Sequence, residues 1–277
     1  MKELRDKDGL TEKEFLQKYK PGDYKRPSVT ADILVFAPDE DLSDLKLLLI
    51  RRGGHPYLGC WALPGGFISE NETAYKAAAR ELEEETGLKD IYLEQIYTFT
   101  KPGRDPRTWV MSIAYMALIN GMQKVTGLDD ASDAAWFDFC FRENELEISN
   151  DEKNVHIKYS LTKERFKNGK ISYDNYIPKK VSEDGLAFDH VEMIIETVTK
   201  LRNRIAYTDL AFNLAGETFT LPDLQVIYEL VLGRKLYKKN FRDMIADRVE
   251  ETGNKIKSLT GKKMSKEYRY EKGEKDE

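Results

Sequence analysis

At 277 residues the chain is longer than one compact core usually holds, so two domains, or one domain with large insertions, are expected. With 40% hydrophobic and 34% charged residues and no apolar run near the roughly 20 that a membrane helix requires, the composition argues against a membrane span. The charged start Met1-Lys2-Glu3-Leu4-Arg5-Asp6-Lys7 lacks the apolar centre of a secretory leader and points to the cytoplasm. The net charge of −5 is uneven: from Lys200 onward 17 Lys/Arg face 13 Asp/Glu, leaving +4 there and −9 before it. An acidic body suits a metal or small-molecule site, and a basic tail suits a polyanion.

In chain order, residues 1–27 read as a polar arm, with a short helix from Thr11 to Tyr19 stopped at Pro21-Gly22. Val29 to Phe36 and Leu45 to Ile50 are apolar, strand-forming runs separated by turn-forming Pro38 to Asp44, the pattern of a β-hairpin. A strand at Trp61-Ala62-Leu63 leads through Pro64-Gly65-Gly66 into a helix from Glu72 to Thr86 that Gly87 closes. Further strands are expected at Ile91 to Thr100 and Trp109 to Ile119, and Ala134 to Phe139 reads as a last short strand or turn. Residues 142–185 read as insertion plus linker, with a hairpin around Val155 to Ser160 and Lys170 to Tyr176. Beyond Leu186 the period becomes helical, at Ala187 to Leu201, Thr208 to Leu214, Leu221 to Leu232 and Tyr237 to Val249. Lys-rich Thr252 to Glu277 suits a wing and a frayed tail. Cys60 and Cys140 sit among strand-like apolar residues, as packed, reduced thiols do.

The chemistry is concentrated between Gly66 and Leu88: Gly66, five residues, Glu72, seven residues, Arg80-Glu81-Leu82, Glu83, Glu84-Glu85, Thr86, Gly87-Leu88. Glu81, Glu84 and Glu85 stand at i, i+3 and i+4 and so project from one helical face, where they repel one another and call for a counter-ion. All-oxygen ligation of this kind suits Mg²⁺, or Mn²⁺ in its place, hard cations that bridge phosphate oxygens. Gly65 and Gly66 let the backbone turn close to a ligand, and Arg80 is placed to pair with Glu72 or Glu81. A solvated acidic helix would need only the run Glu83-Glu84-Glu85, not the full spacing around it.

The spacing resembles the Nudix box at every specified position. The resemblance implies a Nudix α/β/α sandwich with a mixed sheet, and hydrolysis of a nucleoside diphosphate linked to another group by a metal-activated water. Glu81, Glu84 and Glu85 would then be the metal ligands, and Arg80, Glu84 and Glu85 the catalytic set. The base remains open among Glu84, Glu85, Asp105 and Asp133. Arg51-Arg52, the segment His55 to Gly66, and Gly103-Arg104-Asp105-Pro106-Arg107 are similar to ADP-ribose-type members. That makes Arg51, Arg52, Gly65, Gly66, Arg104 and Arg107 the expected substrate contacts. Trp61 reads as core, and His190, on a helix with apolar neighbours, reads as a packed or interface residue to which no chemistry is assigned.

Leu186-Ala187-Phe188-Asp189-His190, Tyr207-Thr208, Phe219 to Gln225 and Lys239-Asn240-Phe241-Arg242 resemble the Nudix-related transcriptional regulators of NAD metabolism, which join a Nudix domain to a C-terminal winged helix. Independently, Thr220 and Pro222 begin a helix that Gly233 ends, and a second helix follows after a short turn, which is helix-turn-helix spacing. Its start supplies Lys238, Lys239, Asn240 and Arg242 for phosphates and base edges of double-stranded DNA. Lys255, Lys257, Lys262, Lys263, Lys266 and Arg269 would add wing contacts. The expected α+β chain is thus an arm at 1–27, a Nudix domain at 28–141, an insertion or linker at 142–185 and a winged-helix domain with basic tail at 186–277. A homodimer follows if DNA is bound, since symmetric sites need two reading heads. The functions weighed are an ADP-ribose hydrolase coupled to DNA binding, a metabolite-sensing regulator with little or no catalysis, and a housecleaning nucleoside triphosphatase that would leave the helical domain unexplained.

Overall fold

In the computed structural model, residues 4–20, 22, 25–127, 131–261 and 263–271 are described. The arm carries α1 (Glu12–Lys18), opened by a reciprocal capping box between Thr11 and Glu14. Of the stop expected at Pro21-Gly22, Pro21 lies outside the described residues. The apolar runs that follow become β1 (Ser28–Pro38) and β2 (Leu45–Arg52), an antiparallel hairpin with Phe36 opposite Leu47. Two short strands, β3 (Trp61–Ala62) on β2 and β4 (Gly65–Phe67) on β1, flank Leu63-Pro64 and deliver the glycine turn to the sheet. Helix α2 (Ala74–Thr86) starts at a Thr73 cap and stops at Gly87, whose φ of 79° is the left-handed conformation glycine adopts without strain. Glu72, expected in the helix, lies just ahead of it.

The sheet continues with β5 (Glu94–Phe99), β6 (Val110–Leu118), β7 (Ala131–Phe141), β8 (Glu145–Asn150), β9 (Val155–Asn168) and β10 (Ile171–Lys180). Its order is β10-β9-β8-β7-β2-β1-β6-β5, mixed because β1 and β6 run parallel while the other pairs are antiparallel. On one face α2 lays Ala77, Ala78 and Leu82 against Ala31, Ile33 and Val35. The two alanines allow close approach, and burying Leu82 contributes about 2 kcal/mol. On the other face lies α3 (His190–Arg204), with Met193, Ile194, Val198 and Leu201 in a cluster shared with Leu34, Phe36 and Phe137.

Three expectations are corrected here. Ala134 to Phe139 belongs to an eleven-residue central strand, β7, whose partners on both sides cannot be read from its own sequence. Residues 142–185 are no linker, for β8, β9 and β10 extend the sheet. Ile157, Tyr159 and Leu161 are buried, whereas the outer half of β9 is exposed on both faces and carries no alternation to read. The boundary at residue 186 also moves, because α3 packs on the sheet and Leu186 bridges to Trp61. The change from strand to helix period marks an element here, not a domain.

After a 3₁₀ turn at Leu210–Leu214 come β11 (Thr218–Thr220), α4 (Leu221–Leu232) and α5 (Lys238–Ile245). A 3₁₀ turn at Ala246–Arg248 then leads into β12 (Val249–Lys257) and β13 (Met264–Tyr270). The strands form an antiparallel sheet, β11-β13-β12, beside the two helices, which is a winged helix-turn-helix. Leu224, Tyr228 and Phe241 join the same apolar cluster as α3 and the first sheet. Among the described residues no helix is long and apolar enough to cross a membrane.

Candidate functional site

A cavity of about 670 Å³ opens where α2 meets the edge of the β1/β4 pair and the entry to α3. Glu81, Glu84 and Glu85 line one side together with Gly65, Gly66 and Arg80. Arg80 organises the acidic face. Its Nε and Nη2 grip both oxygens of Glu72 at 3.1 and 2.8 Å, and Nη1 donates to Glu81 and Glu84, each at 2.8 Å. That guanidinium, with the Ser69 N–H, holds the Glu72 carboxyl down to about 2. Glu81 is pushed up by burial against the pull of Arg80. Glu85 is pushed up to about 8, first by burial and then by the charges of Glu81 and Asp32, although the Gly65 N–H donates to it at 2.7 Å.

At residue 66 a Cβ would stand 2.2 Å from Glu81 Oε1, so any side chain there displaces that carboxylate. The carboxylate keeps its present place because residue 66 has no side chain. Among the described residues no three His, Cys, Asp or Glu side chains converge on a metal position as they stand, since Arg80 holds Glu81 and Glu84. The donor set nonetheless fits a hard divalent cation: three carboxylates on one helical face, one of them desolvated and raised by like charge.

The opposite wall is cationic and aromatic. Arg52 lines it with its guanidinium 5.0 Å from the Phe188 ring, and Arg107 lies 5.7 Å from Phe188 and 5.1 Å from Phe67. Arg107 is paired with Asp105 through Nη2 at 2.7 Å, and Arg104 with Asp189 at 2.7 Å inside the protein. Arg51, expected beside Arg52 at the substrate, is absent from this wall. Neighbouring residues of a strand face opposite ways, and Arg51 lines a separate groove with Tyr57, Asp133 and Lys153. Asp133, a candidate base, is in that groove too, paired with Lys153 at 2.5 Å. Asp105 lines the main cavity, but the hydrogen bonds of Arg107 outweigh its burial and hold its carboxyl below the usual range. Glu84 and Glu85, the other two candidates, both line the main cavity, Glu84 bonded to Arg80 and Glu85 to the Gly65 N–H.

Sequence reasoning missed Asp32, Asp189 and the part played by His190. Asp32, buried in β1, accepts from Thr30 Oγ1 at 3.2 Å and from Ser112 Oγ. His190 is packed, as expected, and its Nδ1 accepts the Leu63 N–H at 2.9 Å while Nε2 lies 3.7 Å from Asp32 Oδ1. Burial lowers its pKa against the raising effect of Asp32, which keeps the ring neutral and able to accept. The available signal was a single Asp inside the apolar run Ala31 to Phe36, since a buried polar residue is the informative exception.

In the winged helix, Lys238, Lys239, Asn240 and Arg242 are all exposed at the start of α5, and none of the three cations is in an ion pair among the described residues. Phe241 and Ile245 are buried on the other side of the helix, Phe241 with its ring 5.5 Å from Tyr228. On the wing, Lys255, Lys257 and Lys263 are exposed, and Lys262 lies outside the described residues. Lys266 and Arg269 are paired across the hairpin with Glu251 and Glu250, which takes both from the set of free phosphate contacts.

Residues 26–156 match the NUDIX domain model, and residues 211–270 match that of the NrtR DNA-binding winged helix domain. The chain is 31% identical over 264 residues to the ADPR responsive transcriptional repressor NtrR of Acinetobacter baylyi, covering 94% of this chain and 88% of that one. It is 38% identical over 129 residues to an ADP-ribose pyrophosphatase of Methanocaldococcus jannaschii, covering 47% and 71%. A MutT/nudix family protein from Enterococcus faecalis has a similar crystal structure, with 28% identity, a TM-score of 0.77 and coverage of 95% and 94%. So does Shewanella oneidensis NrtR complexed with a 27mer DNA, with 26% identity, a TM-score of 0.61 and coverage of 88% and 93%.

Proposed function

Since the chain belongs to the family that joins a Nudix domain to an NrtR-type winged helix, we propose that it is a DNA-binding regulator whose Nudix pocket takes ADP-ribose or a related nucleoside diphosphate. The observation that carries this reading is the pairing, in one chain, of the pocket with a cationic start of α5 that is exposed and, among the described residues, unpaired. Lys238, Lys239, Asn240 and Arg242 would meet phosphates and base edges from the major groove. Two reading heads, and hence a homodimer, would serve a symmetric site. Such a protein works in the cytoplasm beside the DNA, with Cys60 and Cys140 as free thiols. The test is anisotropy of a labelled duplex, enriched by the protein from a random-sequence pool, with and without ADP-ribose. Failure to bind DNA, or binding that ADP-ribose leaves unchanged, would end the regulator reading.

A second reading, hydrolysis of the bound diphosphate, is favoured by one observation: all three box carboxylates line the cavity. Glu81, Glu84 and Glu85 would hold Mg²⁺ or Mn²⁺, which supplies charge neutralisation and Lewis acidity at the phosphoryl oxygens. Arg52 and Arg107 would meet the diphosphate from the opposite wall, and the Phe188 and Phe67 rings suit the flat face of an adenine. Arg80, which touches three carboxylates, would hold the acidic face in shape. Burial and the charges of Glu81 and Asp32 raise the cation-free Glu85 carboxyl to about 8, so a cation held there would displace its proton. Release of AMP from ADP-ribose by wild type but not by Glu84→Gln plus Glu85→Gln would establish turnover; none by either, with ligand still bound, would leave a sensor.

A further inference from the structure

One wall of the cavity comes from the entry to α3, far along the chain from the box. Asp189 takes the Arg104 guanidinium through both oxygens, Nε at 2.9 Å and Nη2 at 2.7 Å, with the two side chains only 8% and 4% exposed. His190 accepts the Leu63 N–H just ahead of Pro64-Gly65-Gly66, and Lys101, on the same loop as Arg104, reaches Glu192 at 2.6 Å. The first turn of α3 is therefore fastened to both sides of the pocket. At the joint, Phe188 has a φ of 50°, a left-handed conformation that is strained for a bulky residue and clusters at functional sites.

The far end of the same helix is fastened to the DNA-binding unit. Arg202 Nε donates to the Val231 carbonyl and Nη2 to that of Phe141, both at 2.8 Å. Val231 is in the last turn of α4, immediately before the Gly233 turn that leads into α5. Just past α3, the Ala206 and Thr208 carbonyls accept from Arg248 at 3.1 and 3.0 Å, at the entrance to the wing. α3 buries eight residues along its length, so its 15 residues, about 22 Å long, form a packed rod.

We infer that the Arg104–Asp189 pair carries occupancy of the pocket into α3, and through Arg202 to the turn between α4 and α5. Arg104 lines the cavity, and among the described residues its Nη1 makes no hydrogen bond. An anionic diphosphate draws on the guanidinium that Asp189 also holds, and competition between two anions for one cation supplies the difference in affinity that any shift of state requires. Asp189 is thus a positioning residue, remote from the reacting atoms. The inference rests on the ligand-responsive regulator proposed above. Linkage adds that DNA must change the affinity for the ligand by the same factor as the ligand changes that for DNA.

The experiment measures duplex affinity, with a duplex enriched by wild type from a random pool, without and with saturating ADP-ribose, for full-length wild type and Asp189→Asn. Wild type is expected to shift by at least about fivefold and Asp189→Asn by less than about twofold, with ligand-free DNA affinities within about threefold of each other. A full shift in Asp189→Asn overturns the inference and leaves the regulator standing. No shift in wild type overturns the regulator, and the inference with it. Should Asp189→Asn fail to fold, amide hydrogen exchange on wild type decides: an ADP-ribose-induced change at both ends of α3 and in residues 231–237 is expected. A change confined to the pocket loops overturns the inference.

Discussion

Asp223, in the first turn of α4, holds that helix to the wing, and its removal should destabilise the winged helix. Its Oδ1 accepts from Ser258 Oγ at 2.8 Å and from Thr260 N and Oγ1 at 3.0 and 2.8 Å; its Oδ2 accepts from Thr220 Oγ1 at 2.7 Å and Leu259 N at 3.2 Å. These five bonds tie the start of α4 to the turn between β12 and β13, and so set the wing against the helices. In Asp223→Ala the Leu259 and Thr260 amides can turn to water, but the buried Thr220 and Ser258 hydroxyls would lose the carboxylate that accepts their protons, keeping only the bonds in which they accept from the residue-223 and Gly261 amides. Two buried donors at about 1–3 kcal/mol each, less what relaxation recovers, give a loss of roughly 3 kcal/mol. At about 2–4 °C per kcal/mol for a chain of this size, the melting midpoint should fall by about 9 °C. Asp223→Asn keeps the Oδ1 bonds and should lose roughly half as much. Burial alone would raise this carboxyl, but the bonds from Thr220, Thr260 and Ser258 outweigh it and hold it below the usual range. Its stabilisation is therefore complete above the unfolded value of about 3.9 and is lost as pH falls through the lower folded value. Thermal melting followed by fluorescence at pH 7 and below pH 4 checks both claims. An alanine variant that melts within about 2 °C of wild type at pH 7 would refute the assignment of the clasp.

In Gly66→Ala the new Cβ forces the Glu81 carboxylate aside by about 1 Å, which on the hydrolytic reading should cost on the order of 100-fold in rate. The fold should survive, because Glu81 is the end of a flexible side chain; unchanged AMP release would contradict this. Since Glu85 is raised to about 8, the cation-free carboxyl is protonated at pH 7, and Mg²⁺ or Mn²⁺ should expel about one proton on binding. Affinity for the cation should rise with pH up to about 8, and calorimetry in two buffers of different ionisation enthalpy should register the proton. Wild type and Glu85→Gln releasing equal amounts would show that Glu85 is not its source. Lys239→Ala plus Arg242→Ala should weaken DNA binding and lower the salt slope by about 2, with AMP release untouched. An unchanged slope would place the DNA elsewhere.

What could be read from the sequence is what helical geometry fixes locally. The i, i+3 and i+4 spacing of Glu81, Glu84 and Glu85 places three carboxylates on one face whatever surrounds the helix, and all three line the cavity. Thr220, Pro222 and Gly233 bound α4 because caps and breakers act within a turn or two. The same locality explains the misreading of Arg51, since adjacent arginines look equivalent in a sequence and point oppositely in a strand. Within residues 142–185 the hairpin expected around Val155 to Ser160 and Lys170 to Tyr176 is there as β9 and β10, but its length and its place in the main sheet escaped for the complementary reason. The outer part of β9 and β10 is exposed on both faces, and without one buried face there is no period of two to find.

The residues that join the two functions were harder to read, because a buried charge specifies that it needs a partner without specifying which. Arg104 and Asp189 are 85 positions apart, and Leu63 and His190 are 127 apart. Arg104 read as a substrate contact and Asp189-His190 as part of a stretch resembling the regulators, with nothing in either to say that the two meet. Their meaning comes from the fold, which lays α3 on the sheet and brings its first turn to the glycine loop. Burying a charged pair offers little net stability over a well-packed apolar pair, since desolvation offsets most of the attraction. An ion pair kept almost wholly out of water at the junction of a ligand cavity and a DNA-binding unit is therefore better explained by what it can sense than by what it can stabilise. Replacing both residues with apolar ones, Arg104→Met and Asp189→Leu, separates these explanations. If the pair serves stability, the double variant should melt lower; if it serves coupling, the variant should melt within a few degrees of wild type and lose the response of DNA affinity to ADP-ribose.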